Sequence, residues 1–522
     1  MRERDAVAQA AALDGATGVG AAADDTYRKV AWRLMPFILL CYIANYIDRT
    51  NIGIAQLSLR TDLGFSDQVY GIGVGLFFVG FILFEVPSNM LLDRIGARKT
   101  LLRIMVAWGA VSAATMFVRT PAEFCAARIL LGMAEAGFFP GILLYLTYWF
   151  PSARRTRMTA VFFLGLSLSG IIGSPLSGWI IYAFADVQGF KGWQWLFLLE
   201  GILSVLLGVA AMFVLRDRPV DAAWLSADEK ARIAADLAGE QAAKAGHPGG
   251  HTHAGALLQA LRDPRVYVLG LVGCGTYTLA NAVSFWSPLI INASGVKDVL
   301  DVGLLSGIAP LVGVMAMLLV GWHSDRTLER RWHAACAELA AAGALVALSL
   351  TIGRPYLTVT LIAVMTAAHY CGLTVFWSVP SVYLSDRAKA GGIALVTAMG
   401  STAAALTPAL LGWIRVETGS LSLGLQISAA IITTAGIVLL VGIPAHAVLC
   451  SNCHLCRVRD EAFAAYLPGH WCSWERVDGR AACYGRAAKQ AVGTRGVDEP
   501  PGAAVGATSW QPGAPGCDHA AL

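Results

Sequence analysis

Arg128-Ile129-Leu130-Leu131-Gly132-Met133-Ala134-Glu135-Ala136-Gly137-Phe138-Phe139-Pro140-Gly141 decides how this chain is read. The stretch lies in an apolar segment from about Phe124 to Phe150, long enough to cross a bilayer as a helix. Two ionisable residues, Arg128 and Glu135, sit seven positions apart within it. At about 3.6 residues per turn they return to nearly one face, roughly 10 Å apart along the axis. A charge in hydrocarbon costs a few kcal/mol or more, so both side chains must face protein or water. The segment therefore reads as a helix lining a substrate path; the competing reading is a buried ion pair that only fixes packing. Gly132, Gly137 and Gly141 allow neighbouring helices close, and Pro140 is positioned to kink the segment.

Composition supports a membrane setting. Of 522 residues, 56% are hydrophobic and only 14% charged, with a mean hydropathy of +0.59. Soluble domains carry about a quarter charged residues, so a soluble enzyme is excluded. A net charge of +4 gives no ground for nucleic-acid binding. The Ala-rich, charged residues 1–27 lack the apolar core of a secretory signal and read as a disordered cytoplasmic tail. Cys41, Cys125, Cys274, Cys336 and Cys371 stand singly in apolar segments and read as small hydrophobic residues.

Twelve apolar segments reach spanning length: 31–55, 69–92, 100–118, 122–150, 158–185, 193–215, 266–291, 303–322, 333–352, 356–384, 391–416 and 422–446. An even number puts both termini on one side. Loops on that side carry Arg94, Arg98 and Lys99, then Arg154, Arg155 and Arg157, then Arg326, Arg330 and Arg331, then Arg387 and Lys389. The opposite loops carry scattered charges such as Arg60 and Arg415. The positive-inside rule places both termini in the cytoplasm.

Residues 216–265 interrupt the pattern as a cytoplasmic loop, dividing a six-helix bundle at 28–215 from a second at 266–446. Within the loop, Ser226 is placed to cap a charged helix. His247, His251 and His253 read as a solvated stretch and not as metal ligands. The halves echo each other: Asp93-Arg94 with Arg98-Lys99 follows the second span, and Asp325-Arg326 with Arg330-Arg331 follows the eighth. Parallel six-helix repeats of this kind build rocking-bundle transporters.

These loops, the twelve spans and the long central loop resemble the major facilitator superfamily, and within it the anion:cation symporter family. The finer resemblance rests on Tyr46-Ile47-Asp48-Arg49-Thr50-Asn51, Phe84-Glu85-Val86-Pro87-Ser88-Asn89, Glu135-Ala136-Gly137-Phe138-Phe139-Pro140-Gly141 and Trp149-Phe150-Pro151. Trp193-Gln194-Trp195-Leu196-Phe197 and Phe285-Trp286 complete it, over about residues 28–446. It implies an all-α membrane fold of twelve transmembrane helices in two pseudo-symmetric six-helix bundles.

The resemblance also implies roles. Arg49 and Arg128 contact a substrate carboxylate, Tyr46 offers a pocket hydroxyl, and Asp48 and Glu135 carry the coupled proton. Asp93, Arg94, Arg98, Asp325 and Arg326 belong to the conformational latch. Physical chemistry agrees with the division: arginine stays charged and grips a carboxylate with two donors, whereas a carboxyl in a low-dielectric cavity can take and release a proton. Phe81 replaces a tyrosine common among relatives and Thr397 an asparagine, which makes the pocket less polar and hints at an aromatic acid. Asn281, His369 and Trp377 are candidates for the second-half wall or for helix packing.

Beyond His446 the resemblance ends. Cys450-Ser451-Asn452-Cys453-His454-Leu455-Cys456 has metal-ligand spacing without a second ligand cluster, so residues 447–522 read as a disordered or aberrant tail with no metal site. The expectation is a proton-coupled symporter that imports a small organic carboxylate, tartrate-like, sugar-acid or aromatic, across a bacterial inner membrane. Its partners are the anion, protons and lipid; it is monomeric, needs no cofactor and is not an enzyme. An exchanger or exporter on the same fold, or a non-transporting anion sensor, are the alternatives. Retention of both intramembrane acids and both arginines argues against the sensor.

Overall fold

The structure is a computed structural model that describes residues 2–245, 259–327, 329–377, 379–384, 389–443, 473–477 and 480–484. Among the described residues, twelve helices are long and apolar enough to cross a membrane: α1 Asp25–Asp62, α2 Asp67–Leu92, α3 Ala97–Phe117, α4 Pro121–Thr147, α5 Ser152–Ala183 and α6 Gly192–Val214. The second half follows with α7 Pro264–Ala293, α8 Val299–Ser324, α9 Arg331–Leu350, α10 Pro355–Phe376, α11 Gly391–Thr418 and α12 Leu421–Gly442. Each coincides with one segment expected from the sequence. Helical backbone already begins at Arg2, where no fixed structure was expected; alanine, frequent there, favours helix.

The halves repeat one packing scheme. In the first, α1 packs on α5, α2 on α4 and α3 on α6; in the second, α7 packs on α11, α8 on α10 and α9 on α12. The basic loops carry the same repeat into detail. The Arg98 guanidinium at the start of α3 donates to the Met212 carbonyl at the end of α6. Arg331, at the start of α9, donates to the Leu440 carbonyl at the end of α12. Each arginine satisfies a carbonyl that a helix C-terminus leaves without a partner. The Arg98 N–H adds a 2.9 Å bond to Asp217, and Gly96 beside it has φ +84°, a conformation that favours glycine.

Two spans are broken, and the sequence explains both. In α4 the regular helix ends at Glu135, Gly137 takes φ +89°, and helix resumes at Phe138. Pro140 has no N–H for the preceding turn, and a Cβ at Gly137 would collide with Ser88. In α7, residues Ala282–Trp286 form a π-helical turn. Pro288 cannot bond the Ser284 carbonyl, and the turn widens there.

The halves meet near one end of the spans, the end opposite the basic loops. Gly71 and Gly75 of α2 lie against the Pro408 and Ala405 carbonyls of α11. Across the other seam, a Cβ at Gly178 of α5 would fall 2.9 Å from the Val299 carbonyl and 3.1 Å from Gly303 of α8. Glycine at these positions permits backbone-to-backbone approach in lipid. The Tyr70 hydroxyl donates to the Phe285 carbonyl at 2.7 Å. Asp67 closes the same end, pairing with Arg415 at 2.9 Å and lying 3.8 Å from Arg60.

The central loop holds a helix at Ala227–Ala245. Ser226 and Glu229 cap it reciprocally: the Ser226 N–H reaches Glu229 at 2.8 Å, and the Glu229 N–H reaches Ser226 Oγ at 3.2 Å. Lys29 of α1 bonds Glu229 at 2.9 Å, Tyr27 bonds Asp236 at 2.8 Å, and Trp224 stacks on Trp149, so this helix is fastened to the first bundle. His247, His251, His253 and the Cys450–Cys456 cluster lie outside the described residues. In the tail, β1 (Ser473–Val477) and β2 (Arg480–Tyr484) form an antiparallel hairpin, with Ser473 opposite Tyr484.

The Ser226 N–H and Lys29 hold the Glu229 carboxyl below its ordinary range. A depressed carboxyl stabilises the fold above its unfolded pKa, and that contribution disappears as pH falls through the folded value. Ser226→Ala should cost about 1 kcal/mol of local stability. Hydrogen exchange over 227–232 should quicken in that variant and, in the wild type, quicken further on acidification.

Candidate functional site

The site forms where α1 and α4 face each other inside the first bundle. Arg49 reaches across to Glu135, its Nε lying 2.9 Å from Oε1 and its Nη2 bonding the same oxygen. Glu135 is 1% exposed and Arg49 19%, so the acid is enclosed while the guanidinium keeps an edge on open space. The broken α4 contributes to this pairing, because a helix C-terminus favours a cation near Glu135. Aromatic rings surround the guanidinium carbon: Tyr46 at 5.6 Å, Phe77 at 5.4 Å and Phe81 at 5.2 Å.

Arg128 differs. It is 2% exposed, lies 5.1 Å from the centre of the other face-bearing ring, Phe77, and its Nε and Nη2 have no hydrogen-bond partner. A buried guanidinium without a carboxylate is costly, since each unsatisfied charged donor forfeits its hydration. Its position beside Arg49, with Phe77 between them, creates a pocket of positive potential suited to an anion.

Asp48 points elsewhere. Its carboxylate accepts from Trp108 Nε1 at 2.9 Å, Ser112 Oγ at 2.9 Å and Ser204 Oγ at 2.6 Å. It therefore binds α1 to α3 and α6 in the interior of the bundle, and it is 1% exposed. Adjacent residues on a helix diverge by about 100°, which separates Asp48 from the Arg49–Glu135 pair. Among the expected wall residues, Phe81 faces Arg49, but Asn281 is buried and donates to the Ala404 carbonyl of α11 at 3.1 Å. Thr397 bonds the Ile393 carbonyl of its own helix, Trp377 packs on Phe376, and His369 is buried with Nδ1 unpartnered. Of the latch residues, Arg98 binds Met212 as described, Arg326 lies over the Trp322 ring at 5.3 Å and Arg94 is exposed. The side chains of Asp93 and Asp325 lie outside the described residues.

A family model described as Major Facilitator Superfamily matches residues 38–408. The chain belongs to the Major Facilitator Superfamily. A putative metabolite transport protein NicT of Pseudomonas putida is 44% identical, over 76% of this chain and 89% of that protein. A putative tartrate transporter of Agrobacterium vitis is 43% identical, over 79% and 94%. A crystal structure of a D-xylose-proton symporter superposes with a TM-score of 0.62 at 14% identity, covering 79% of this chain and 98% of that one, which is likeness of fold. This superfamily member is thus a multi-pass membrane transporter and not an enzyme.

Three buried ionisable groups of the transporter escaped the sequence reading. Glu200 of α6 accepts from Asn51 at 2.7 Å and Ser177 at 3.1 Å. Glu338 of α9 accepts from Thr276 at 2.7 Å, with Oε2 unpartnered. Asp67 forms the cross-half pair with Arg415. Glu200 lies three residues beyond the aromatic stretch Trp193–Phe197, and a lone acid in an apolar span was the signal available.

Asp48→Ala would leave three buried donors facing nothing, at about 1–3 kcal/mol each. The variant should unfold in detergent at a much lower temperature than the wild type. Thr397→Ala, whose hydroxyl bonds only its own helix, should stay within a few degrees of wild type in the same melt.

Proposed function

We propose that this transporter is a proton-coupled importer of a small organic carboxylate across a bacterial inner membrane, with both termini and the basic loops in the cytoplasm. The observation that carries the reading is Arg128, a buried guanidinium with Nε and Nη2 unpartnered, beside an Arg49 already committed to Glu135. A planar carboxylate would supply the acceptors that Arg128 lacks. The relatives named as tartrate transporters support an organic acid as the cargo. The rings of Tyr46, Phe77 and Phe81 around Arg49 favour an anion with an apolar or aromatic body over a fully hydroxylated one.

Coupling follows from competition for Arg49. Glu135, while ionised, holds the guanidinium. Protonation of Glu135 weakens that pair and frees Arg49 to join Arg128 on the substrate carboxylate. Substrate bound there in turn favours the protonated acid, because linkage is reciprocal. With the basic loops inside, the contacts at Asp67–Arg415 and Gly178–Gly303 lie on the outer side, so release is toward the cytoplasm. Substrate and proton leave by that route, and the return of the empty carrier restores the Arg49–Glu135 pair. Asp93, Arg94 and Arg98, with Asp325 and Arg326, latch the inner face in the opposite state.

In reconstituted vesicles, labelled tartrate, sugar acids and aromatic acids should be screened for uptake with and without an imposed pH gradient. At least one acid should be accumulated only with the gradient; gradient-independent uptake of every transported acid would reject proton coupling. Glu135→Gln should retain counterflow exchange while losing gradient-driven accumulation. Arg128→Ala should lose at least about 2 kcal/mol of binding, roughly thirtyfold in affinity, and Arg128→Lys should recover little of it. Accumulation by Glu135→Gln at the wild-type level would move the coupling site elsewhere.

A further inference from the structure

The first bundle contains more acid than base. Among the described residues, setting aside Asp67, which pairs with Arg415 at the closed end, its interior holds three carboxyls, Asp48, Glu135 and Glu200, against two guanidiniums, Arg49 and Arg128. Arg49 is committed to Glu135, and neither Asp48 nor Glu200 forms an ion pair. Asp48 and Asn51 lie three residues apart on α1, Glu200 and Ser204 four apart on α6, and the bonds from Ser204 to Asp48 at 2.6 Å and from Asn51 to Glu200 at 2.7 Å make the two carboxyls neighbours. Ser177 of α5 bonds Glu200 from another side. Arg128 is the one guanidinium of the two left uncommitted, and a single cation cannot balance two carboxylates in a low-dielectric interior. One of them must carry a proton.

Hydrogen-bond chemistry chooses between them. Trp108 Nε1 is a donor only, so the Asp48 oxygen it touches must accept. Ser204 shares that oxygen and Ser112 meets the other, and since a serine hydroxyl can also accept, Trp108 is the one obligate donor that marks Asp48 as the acceptor. Glu200 meets Asn51 and Ser177, and both of these side chains can accept as well as donate. Asn51 Oδ1 is buried and unpartnered. Turning the amide over would bring that oxygen to a protonated Glu200, and the contact survives in either protonation state.

We propose that Glu200 is a proton-binding site of this transporter, the protonated member of an Asp48–Glu200 couple, and that this proton belongs to the coupling machinery. The inference rests on the transport reading above for its role in the cycle, though not for the presence of the proton. The location suits the task. Asn51 lies two residues before Gly53, whose Cβ would fall 3.3 Å from the Ser284 and Phe285 carbonyls of α7. Ser177 precedes Gly178, which packs on Gly303 of α8. Glu200 thus ties together α1 and α5, two of the first-half helices that, with α2, touch the second half at the sealed end. Loss of its proton would place a like charge beside Asp48 and loosen α1 and α5 there.

The test is infrared spectroscopy of the full-length transporter in liposomes, reading the carbonyl stretch of protonated carboxylic acids. A Glu338→Gln background removes the buried carboxyl of the second half. At neutral pH this protein should show a carboxylic-acid band that shifts with carbon-13-labelled glutamate, persists in Glu135→Gln and is lost in Glu200→Gln. No band, a band insensitive to labelled glutamate, or a band retained in Glu200→Gln would overturn the proton site. If Glu200→Gln does not fold, Glu200→Asp replaces it, and there the band should no longer shift with labelled glutamate; a band that still shifts would overturn the proton site. In the same liposomes, Glu200→Gln should lose accumulation of labelled tartrate driven by a pH gradient while keeping tartrate counterflow. Wild-type accumulation in Glu200→Gln, or accumulation by the wild type on a sodium gradient alone, would overturn the coupling role. If the wild type moves no tartrate, the transport reading for that acid fails, and the infrared result still decides whether Glu200 holds a proton.

Discussion

The constraint on which this structure depends is that a charge inside the membrane must be answered by another group. Rupturing a buried, hydrogen-bonded ion pair costs about 3–5 kcal/mol, whereas an exposed pair such as Lys191–Asp186 contributes well under that. The Arg49–Glu135 bond is of the first kind on the acid's side, since Glu135 is enclosed, and of an intermediate kind on the arginine's. That asymmetry lets the pair open. Arg49 has an exposed edge and a ring of aromatic faces that hold it in place by cation–π attraction if the carboxylate is neutralised.

The same requirement shapes the two bundles. Each is pinned internally by hydrogen bonds between polar side chains or from an arginine to a helix end, as at Asp48, Arg98 and Arg331. Between the bundles, glycine-mediated approaches at one end bring backbones together without interlocking side chains. Rigid interiors and a smooth seam permit one half to tilt against the other. Among the described residues the ties between the halves include Tyr70 to Phe285 and Asp67 to Arg415, and Tyr46 to Ser284 and Tyr370 to Ser167. Single side-chain bonds of this kind define a closed end without interlocking the two bundles.

Much of this was legible in the sequence because it depends on local chemistry. The spans follow from apolar length, the break in α4 from Gly137 and Pro140, and the Ser226 cap from a four-residue pattern. The repeated basic loops pointed to two related halves, and Arg98 and Arg331 make equivalent bonds. What could not be read was partnership between distant segments. Spacing places Arg128 and Glu135 on one face of a helix, yet Glu135 pairs with Arg49 of α1 and leaves Arg128 open. Nothing in the neighbourhood of Asp67 announces Arg415. Glu200 reads as one acid in an aromatic-rich span until Asn51 and Ser177 are seen to converge on it.

The adjacency of Asp48 and Arg49 explains how an interior network and a cavity can act on one another. The two side chains leave α1 in different directions, one into the donors of α3 and α6, the other toward α4. Three residues further on, Asn51 reaches Glu200, and the helix interrupts its regular run at that position. One short length of α1 therefore touches the cavity pair, the Asp48 shell and the tie beneath the seal. A change in the charge on Glu135 alters the pull on Arg49, and that pull is exerted on a backbone shared with Asp48 and Asn51. Coupling as proposed above would need no long pathway, because Asp48, Arg49 and Asn51 hang from a single turn of helix.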